Sequence, residues 1–163
     1  MKKLYAAYGS NLNLRQMAVR CPDATVVGTA ELADHELVFR GSAGFGVATV
    51  EPREGCSVPI LLWEISEQDE KNLDRYEGAP MFYGKKTLGF EADGQTIPAM
   101  VYIMRPGHDA ALPSEMYYNT ILEGYEDNGL DPTVLECALE RTDELKLVES
   151  IWPDWDMGGP YLG

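Results

Sequence analysis

The sequence is short of positive charge, of histidine and of paired cysteine, and each shortage narrows what the protein does. Lys and Arg number 13 against 27 Asp and Glu, a formal net charge of −14. A field of that sign repels phosphate backbones and anionic headgroups, so neither nucleic acid nor a membrane surface is expected as a partner. The two histidines, His35 and His108, stand at no metal-ligand spacing from each other or from a cysteine, so no metal is expected. Cys21, Cys56 and Cys137 are far apart and odd in number, which argues against a disulfide framework and for a cytoplasmic protein with reduced thiols. Apolar runs such as 60–63 and 99–104 are far too short to cross a bilayer. The start, Met1 to Tyr8, has two lysines but no long apolar core, and polar Asn11, Asn13 and Arg15 follow, so it does not read as a signal peptide. Neither a phosphate loop nor a G-x-S-x-G elbow occurs. Gly41, Gly44 and Gly46 reverse the dinucleotide-binding spacing and read as a hairpin loop.

What is present suits a well-packed domain. With 163 residues and 45% hydrophobic content, one domain over 1–163 is expected, burying about two-thirds of its unfolded surface. Leu4 to Tyr8 reads as a buried strand, broken at Gly9-Ser10-Asn11, and Asn13 to Arg20 as a helix. Four β-rich segments follow: 25–32 and 36–39 around an Ala33-Asp34-His35 turn, then 47–50 and 58–65 around a turn at 52–55. Ser66-Glu67-Gln68-Asp69 has the form of a capping box opening a helix to about Tyr76, stopped by Glu77-Gly78-Ala79-Pro80. Strands 83–91 and 95–104 flank a hairpin signal, Asp93-Gly94. Ser114 caps a further helix ending at Asn128-Gly129, and Asp131-Pro132 opens one through about Thr142. The tail from Ile151, with Trp152, Trp155 and Tyr161 among Pro and Gly, reads as irregular. The fold class is therefore α+β: a small twisted mixed sheet or barrel of about six strands with helices packed outside.

Two places carry chemistry. The first is Tyr8-Gly9-Ser10-Asn11-Leu12, after the opening strand. Glycine there lets backbone approach a ligand, and successive N–H groups near a helix start suit a carboxylate or a developing oxyanion. An ordinary strand-to-helix turn would look the same. The second is Glu77, where a helix gives way to a Gly/Pro turn among Tyr76, Phe82 and Tyr83. Most glutamates are solvated, but partial burial among aromatics raises a carboxyl toward neutrality and fits it to shuttle protons. Asp69 and Asp74, on the same helix, read as solvated-face residues.

Together these residues resemble the γ-glutamylcyclotransferase-like (AIG2-like) family. The ordered match is Tyr8-Gly9-Ser10-Asn11-Leu12, then Leu73-Asp74 with Glu77-Gly78 and Tyr83, then Tyr102, Pro113-Ser114 with Tyr117, and Asn128-Gly129-Leu130. It spans about Lys3 to Leu130, and nothing after about Asp143 matches. The resemblance implies a compact barrel-like α/β domain that closes a γ-glutamyl group to 5-oxoproline and releases the attached amine or amino acid. It places the catalytic glutamate on Glu77, the substrate-holding loop on Tyr8 to Leu12, and pocket tyrosines on Tyr83, Tyr102 and Tyr117. The nucleophile is the substrate's own α-amine, so no cofactor is implied. The partner is a small γ-glutamyl molecule, and the protein a monomer or homodimer.

A different class of function remains open on the same scaffold, a small-molecule binder or regulator without turnover. Transfer of the γ-glutamyl group to an external amine is a third. Specificity is expected from 41–46, 106–113 and the Trp-rich tail. The acidic field leans toward substrates whose leaving amine is cationic.

Overall fold

The computed structural model describes residues 2–151. The expectation of an irregular tail after Ile151 lies outside the described residues. Among them, five strands close a barrel in the order β1-β3-β2-β4-β5. Strand β1 (Lys3–Ala7) runs antiparallel to β3 (Phe45–Ile65) and closes the barrel by pairing in parallel with β5 (Gln95–Met104) at Tyr5 and Met100. Strand β2 (Thr25–Ser42) lies between β3 and β4 (Tyr83–Ala92). Four α-helices pack around it: α1 (Leu14–Arg20), α2 (Glu67–Glu77), α3 (Glu115–Asp127) and α4 (Thr133–Ile151). The expected class, a barrel with helices outside, is the class found, with five strands in place of about six.

The missing strand boundaries have a local cause. The two turns expected at 33–35 and 52–55 face each other across one ribbon. His35 pairs with Pro52 and Ala33 with Ser57, so the extra residues on β3 bulge out without reversing the chain. Asp34 takes a left-handed φ of 58° and its carboxylate accepts the Gly55 amide at 3.0 Å, while Gly55 itself has φ 85°. The turn-forming residues therefore stabilise an irregularity within two long strands. The chain reverses once here, between Ser42 and Phe45, and the glycine-rich stretch 41–46 is the tip and the first rungs of that hairpin.

Helix α2 follows its sequence closely. The Ser66 hydroxyl accepts the Asp69 amide and the Asp69 carboxylate accepts the Ser66 amide, at 3.1 Å each. Asp69 is fully buried and also accepts the Asp23 amide at 3.3 Å, so its expected solvation is corrected: closing the capping box against the turn that follows α1 turns it inward. Gly78, at φ 65°, ends the helix in the left-handed conformation that favours glycine, one residue after Glu77. Helix α4 runs past its expected end at Thr142 because that hydroxyl is satisfied within the fold. It donates to the Ala138 carbonyl at 2.7 Å and accepts the Phe39 amide of β2 at 3.0 Å. The main apolar core runs from Tyr5 to Ala138 and includes Leu12, Ile60, Phe90 and Tyr125.

Candidate active site

The end of β1 delivers Tyr8 and Gly9 to one mouth of the barrel. Gly9 is held close to β3 and α3: a Cβ there would lie 3.3 Å from the Ala48 Cβ and 3.7 Å from the Tyr117 hydroxyl. Ser10–Leu12 then form one 3-10 turn, closed by bonds from the Leu12 amide to the Gly9 carbonyl (3.0 Å) and from Asn13 to Ser10 (3.1 Å). Helix α3 presses against the turn at Gly124, where a Cβ would come within 2.7 Å of the Leu12 backbone. The short strand, the tight turn and the glycine contact together place Gly9, Ser10 and Asn11 at the wall of a cavity of about 270 Å³.

Ten further residues complete that wall, and the sequence hints at them unevenly. Glu77, Tyr76 and Phe82 come from the end of α2 and its turn, Tyr83 from β4, Tyr102 from β5 and Tyr117 from α3. Of the residues expected at the site, Tyr8, Gly9, Ser10, Asn11, Glu77, Tyr83, Tyr102 and Tyr117 share this one cavity. Leu12 does not: its side chain is fully buried in the core and its amide is spent inside the turn. Tyr5, Val47 and Ala48 also line the cavity and carry no sequence signal, because only barrel closure brings them there. Neither 41–46 nor 106–113 lines it; His108 reaches it only by packing on Phe82 at 4.6 Å between ring centroids.

The phenols are organised by hydrogen bonds. Tyr8 donates to the Tyr102 carbonyl and Tyr83 to the Ala48 carbonyl, each at 2.6 Å. Tyr102 donates to the Asp74 carboxylate at 2.6 Å, and Lys85 donates to the same carboxylate at 3.0 Å. Asp74 is therefore a half-buried acceptor and not a solvated-face residue; the β4–β5 hairpin covers it. Tyr117 accepts the Ala48 amide at 3.0 Å and Tyr5 accepts the Asn11 side-chain amide at 2.9 Å. An accepting hydroxyl keeps its own proton for another partner. Burial raises the titration of Tyr5, Tyr8, Tyr83, Tyr102 and Tyr117 above the usual tyrosine range, so all stay protonated at neutral pH.

Among the described residues, Glu77 is the one carboxyl in the lining. Desolvation pushes its pKa up to about 7, against a smaller opposing pull from Arg20. Its place at the C-terminal end of α2, where the helix dipole is negative, disfavours the carboxylate further. The cavity thus juxtaposes a carboxyl that changes charge near neutrality, protonated phenols and a tight backbone turn. That arrangement can move protons on a small polar ligand.

Residues 5–120 match the model of the family described as Gamma-glutamyl cyclotransferase, AIG2-like. The chain belongs to that family. It is 30% identical over 155 residues to the gamma-glutamylcyclotransferase of Homo sapiens, covering 90% of this chain and 78% of the human protein. Its identity to the Bos taurus gamma-glutamylcyclotransferase is 29% over 136 residues, 78% of this chain and 72% of the bovine one. A solved gamma-glutamyl cyclotransferase superposes with a TM-score of 0.74 at 28% identity, covering 90% of this chain and 87% of that one. The family match encloses the β1 turn, α2 with Glu77, the strand that supplies Tyr102, and the start of α3 with Tyr117. Among the described residues, no helix is long and apolar enough to cross a membrane.

Proposed function

We propose that the protein is a γ-glutamylcyclotransferase-type enzyme, one domain that closes a γ-glutamyl group to 5-oxoproline and releases the attached amine or amino acid. The observation that carries this reading is that Glu77 shares a cavity with the Gly9–Asn11 turn, where desolvation pushes its pKa up to about 7. About 270 Å³ lies just below the usual range of ligand pockets, roughly 300–1,000 Å³, and suits a glutamyl head with the leaving moiety toward solvent.

In this scheme Glu77 begins ionised and takes one proton from the substrate's α-ammonium. The freed nitrogen attacks the γ-carbonyl carbon and forms the ring C–N bond. Protonated Glu77 then gives its proton to the leaving nitrogen as the old C–N bond breaks. The ring nitrogen sheds its remaining extra proton through the regenerated carboxylate, and a basic amine departs as its ammonium, so charge balances. Intramolecular attack avoids much of the entropic barrier, about 7–11 kcal/mol in well-oriented cases, provided the substrate is held folded. The Gly9–Asn11 backbone and the unspent hydroxyl protons of Tyr5 and Tyr117 are suited to the α-carboxylate and to the oxyanion. A carboxyl near pKa 7 serves both halves, because acid and base forms coexist at working pH.

The test is a panel of γ-glutamyl amino acids and γ-glutamyl amines, neutral and cationic, read by 5-oxoproline formation. Turnover of at least one member that Glu77→Gln abolishes is expected. Full activity of Glu77→Gln would remove the assigned role, and tight binding of panel members without product would favour a binder on this fold. Added amines appearing in the product would instead show transfer.

A further inference from the structure

We propose that Arg20, which lies outside the cavity lining, is a positioning residue of this site: its guanidinium grips Asn11 and Tyr76 and so fixes the Gly9–Asn11 turn against the helix end that carries Glu77. The inference rests on the cyclotransferase reading and names a residue that acts through others.

Arg20 is the last residue of α1. Its guanidinium lies 3.4 Å above the centre of the Tyr76 ring. One amino group donates to the Asn11 side-chain oxygen, and the other to Gln16 at 3.0 Å. Its carbonyl accepts the Asn72 side-chain amide at 3.1 Å, which ties α1 to α2. Tyr76 needs such a hold. It is 45% exposed, and its hydroxyl meets the Ser10 hydroxyl at 3.0 Å. A half-exposed phenol with one hydroxyl contact would visit several rotamers, whereas stacking on one face and a bond at the tip select one. On the other side, Asn11 passes the hold to Tyr5, and Trp63 donates to the Asn11 carbonyl at 3.1 Å. Arg20 thus links Ser10, Asn11 and Tyr76 into one wall built from three elements. A planar fork that stacks and donates in two directions is needed; an ammonium cannot reproduce it.

The same group has an electrostatic part. Arg20 faces Glu77 from α1, Tyr5 from β1, Tyr8 from just after β1, and Tyr83, Tyr102 and Tyr117 from β4, β5 and α3. The phenols are uncharged at neutral pH, and Asp74 on Glu77's own helix is bonded to Tyr102 and Lys85. The charge opposing desolvation at Glu77 is therefore that of Arg20.

The test compares Arg20→Lys, Arg20→Met and Arg20→Gln with wild type. For Arg20→Met and Arg20→Gln, kcat/KM falls about 10- to 100-fold, the cost of slight misplacement of catalytic groups, and the acidic limb of its pH profile moves to higher pH. Arg20→Lys keeps the charge and leaves the limb in place, but loses rate because it can neither stack nor fork. Carbon-13 titration of the Glu77 carboxyl, assigned by its loss in Glu77→Gln, reads the same displacement without turnover. A purely structural role would lower the melting temperature and leave limb and titration unmoved, and that result overturns the proposal. If wild type turns over no γ-glutamyl compound, the cyclotransferase reading fails, and the carboxyl titration alone decides whether Arg20 governs Glu77.

Discussion

Replacing Glu77 by Gln should remove activity and, above neutral pH, strengthen the fold. The carboxyl titrates near 4.5 when exposed and near 7 in the folded chain, chiefly through desolvation. A carboxyl whose folded pKa is raised binds its proton more tightly in the native state. Its folded form is therefore not penalised below pH 4.5, and stability is lost as pH rises from about 4.5 to about 7 and then levels off. Each pH step between the two titrations is worth about 1.36 kcal/mol, so burying this carboxylate costs about 3 kcal/mol at alkaline pH. Gln is isosteric and uncharged and escapes that cost. Urea unfolding of both proteins at pH 5 and pH 8 reads the difference. Relative to wild type, Glu77→Gln should gain about 2–3 kcal/mol between the two pH values, about 1 M in urea midpoint. Its turnover at pH 8 should fall by about 10²–10⁴-fold. Wild-type kcat/KM should rise with pH through about 7, as the base form of Glu77 appears. Parallel stability profiles for the two proteins would refute the reasoning, since they would mean the carboxyl is not desolvated.

Other substitutions address what holds the site in place. Gly124→Ala drives a methyl to within 2.7 Å of the Leu12 backbone, so it should lower stability by about 1–3 kcal/mol and reduce kcat/KM; unchanged kinetics would show that α3 does not locate the turn. Tyr117→Phe strips the Ala48 amide of its acceptor and should cost about 1–3 kcal/mol in urea unfolding, with a further loss in kcat/KM if the phenol's own proton serves the substrate. Arg40 is 9% exposed and pairs with Glu51 at 2.5 Å and Glu149 at 2.9 Å. Arg40→Met leaves those acids unpaired and should cost about 3 kcal/mol without moving the pH profile of turnover; a shifted profile would contradict the separation of that cluster from the site.

Much of the frame was legible in local chemistry. Ser66, Asp69 and Gly78 specify where α2 begins and ends, and so place Glu77 at its last residue. Asp93-Gly94 specifies the β4–β5 hairpin, and Ser114 the start of α3. These features depend on neighbours in the chain, and hydrogen bonds over a few residues decide them. The bulge between Asp34 and Gly55 was not legible, because a turn signal reports a backbone conformation and not whether the chain reverses there. Its outcome depended on a second signal 21 residues away.

The same division runs through the site. The residue types by themselves determined that Gly9, Ser10 and Asn11 form a tight turn after a strand, that Glu77 lies at a helix end, and that the chain carries strong negative charge. Barrel closure decided the rest. It drew Tyr5, Val47 and Ala48 into the wall, sent Leu12 into the core, and turned Asp74 onto Tyr102. Above all it reduced the hydration of Glu77. A carboxyl's charge depends on what surrounds it in three dimensions, and that surrounding is assembled from strands and helices scattered from Tyr5 to Tyr117.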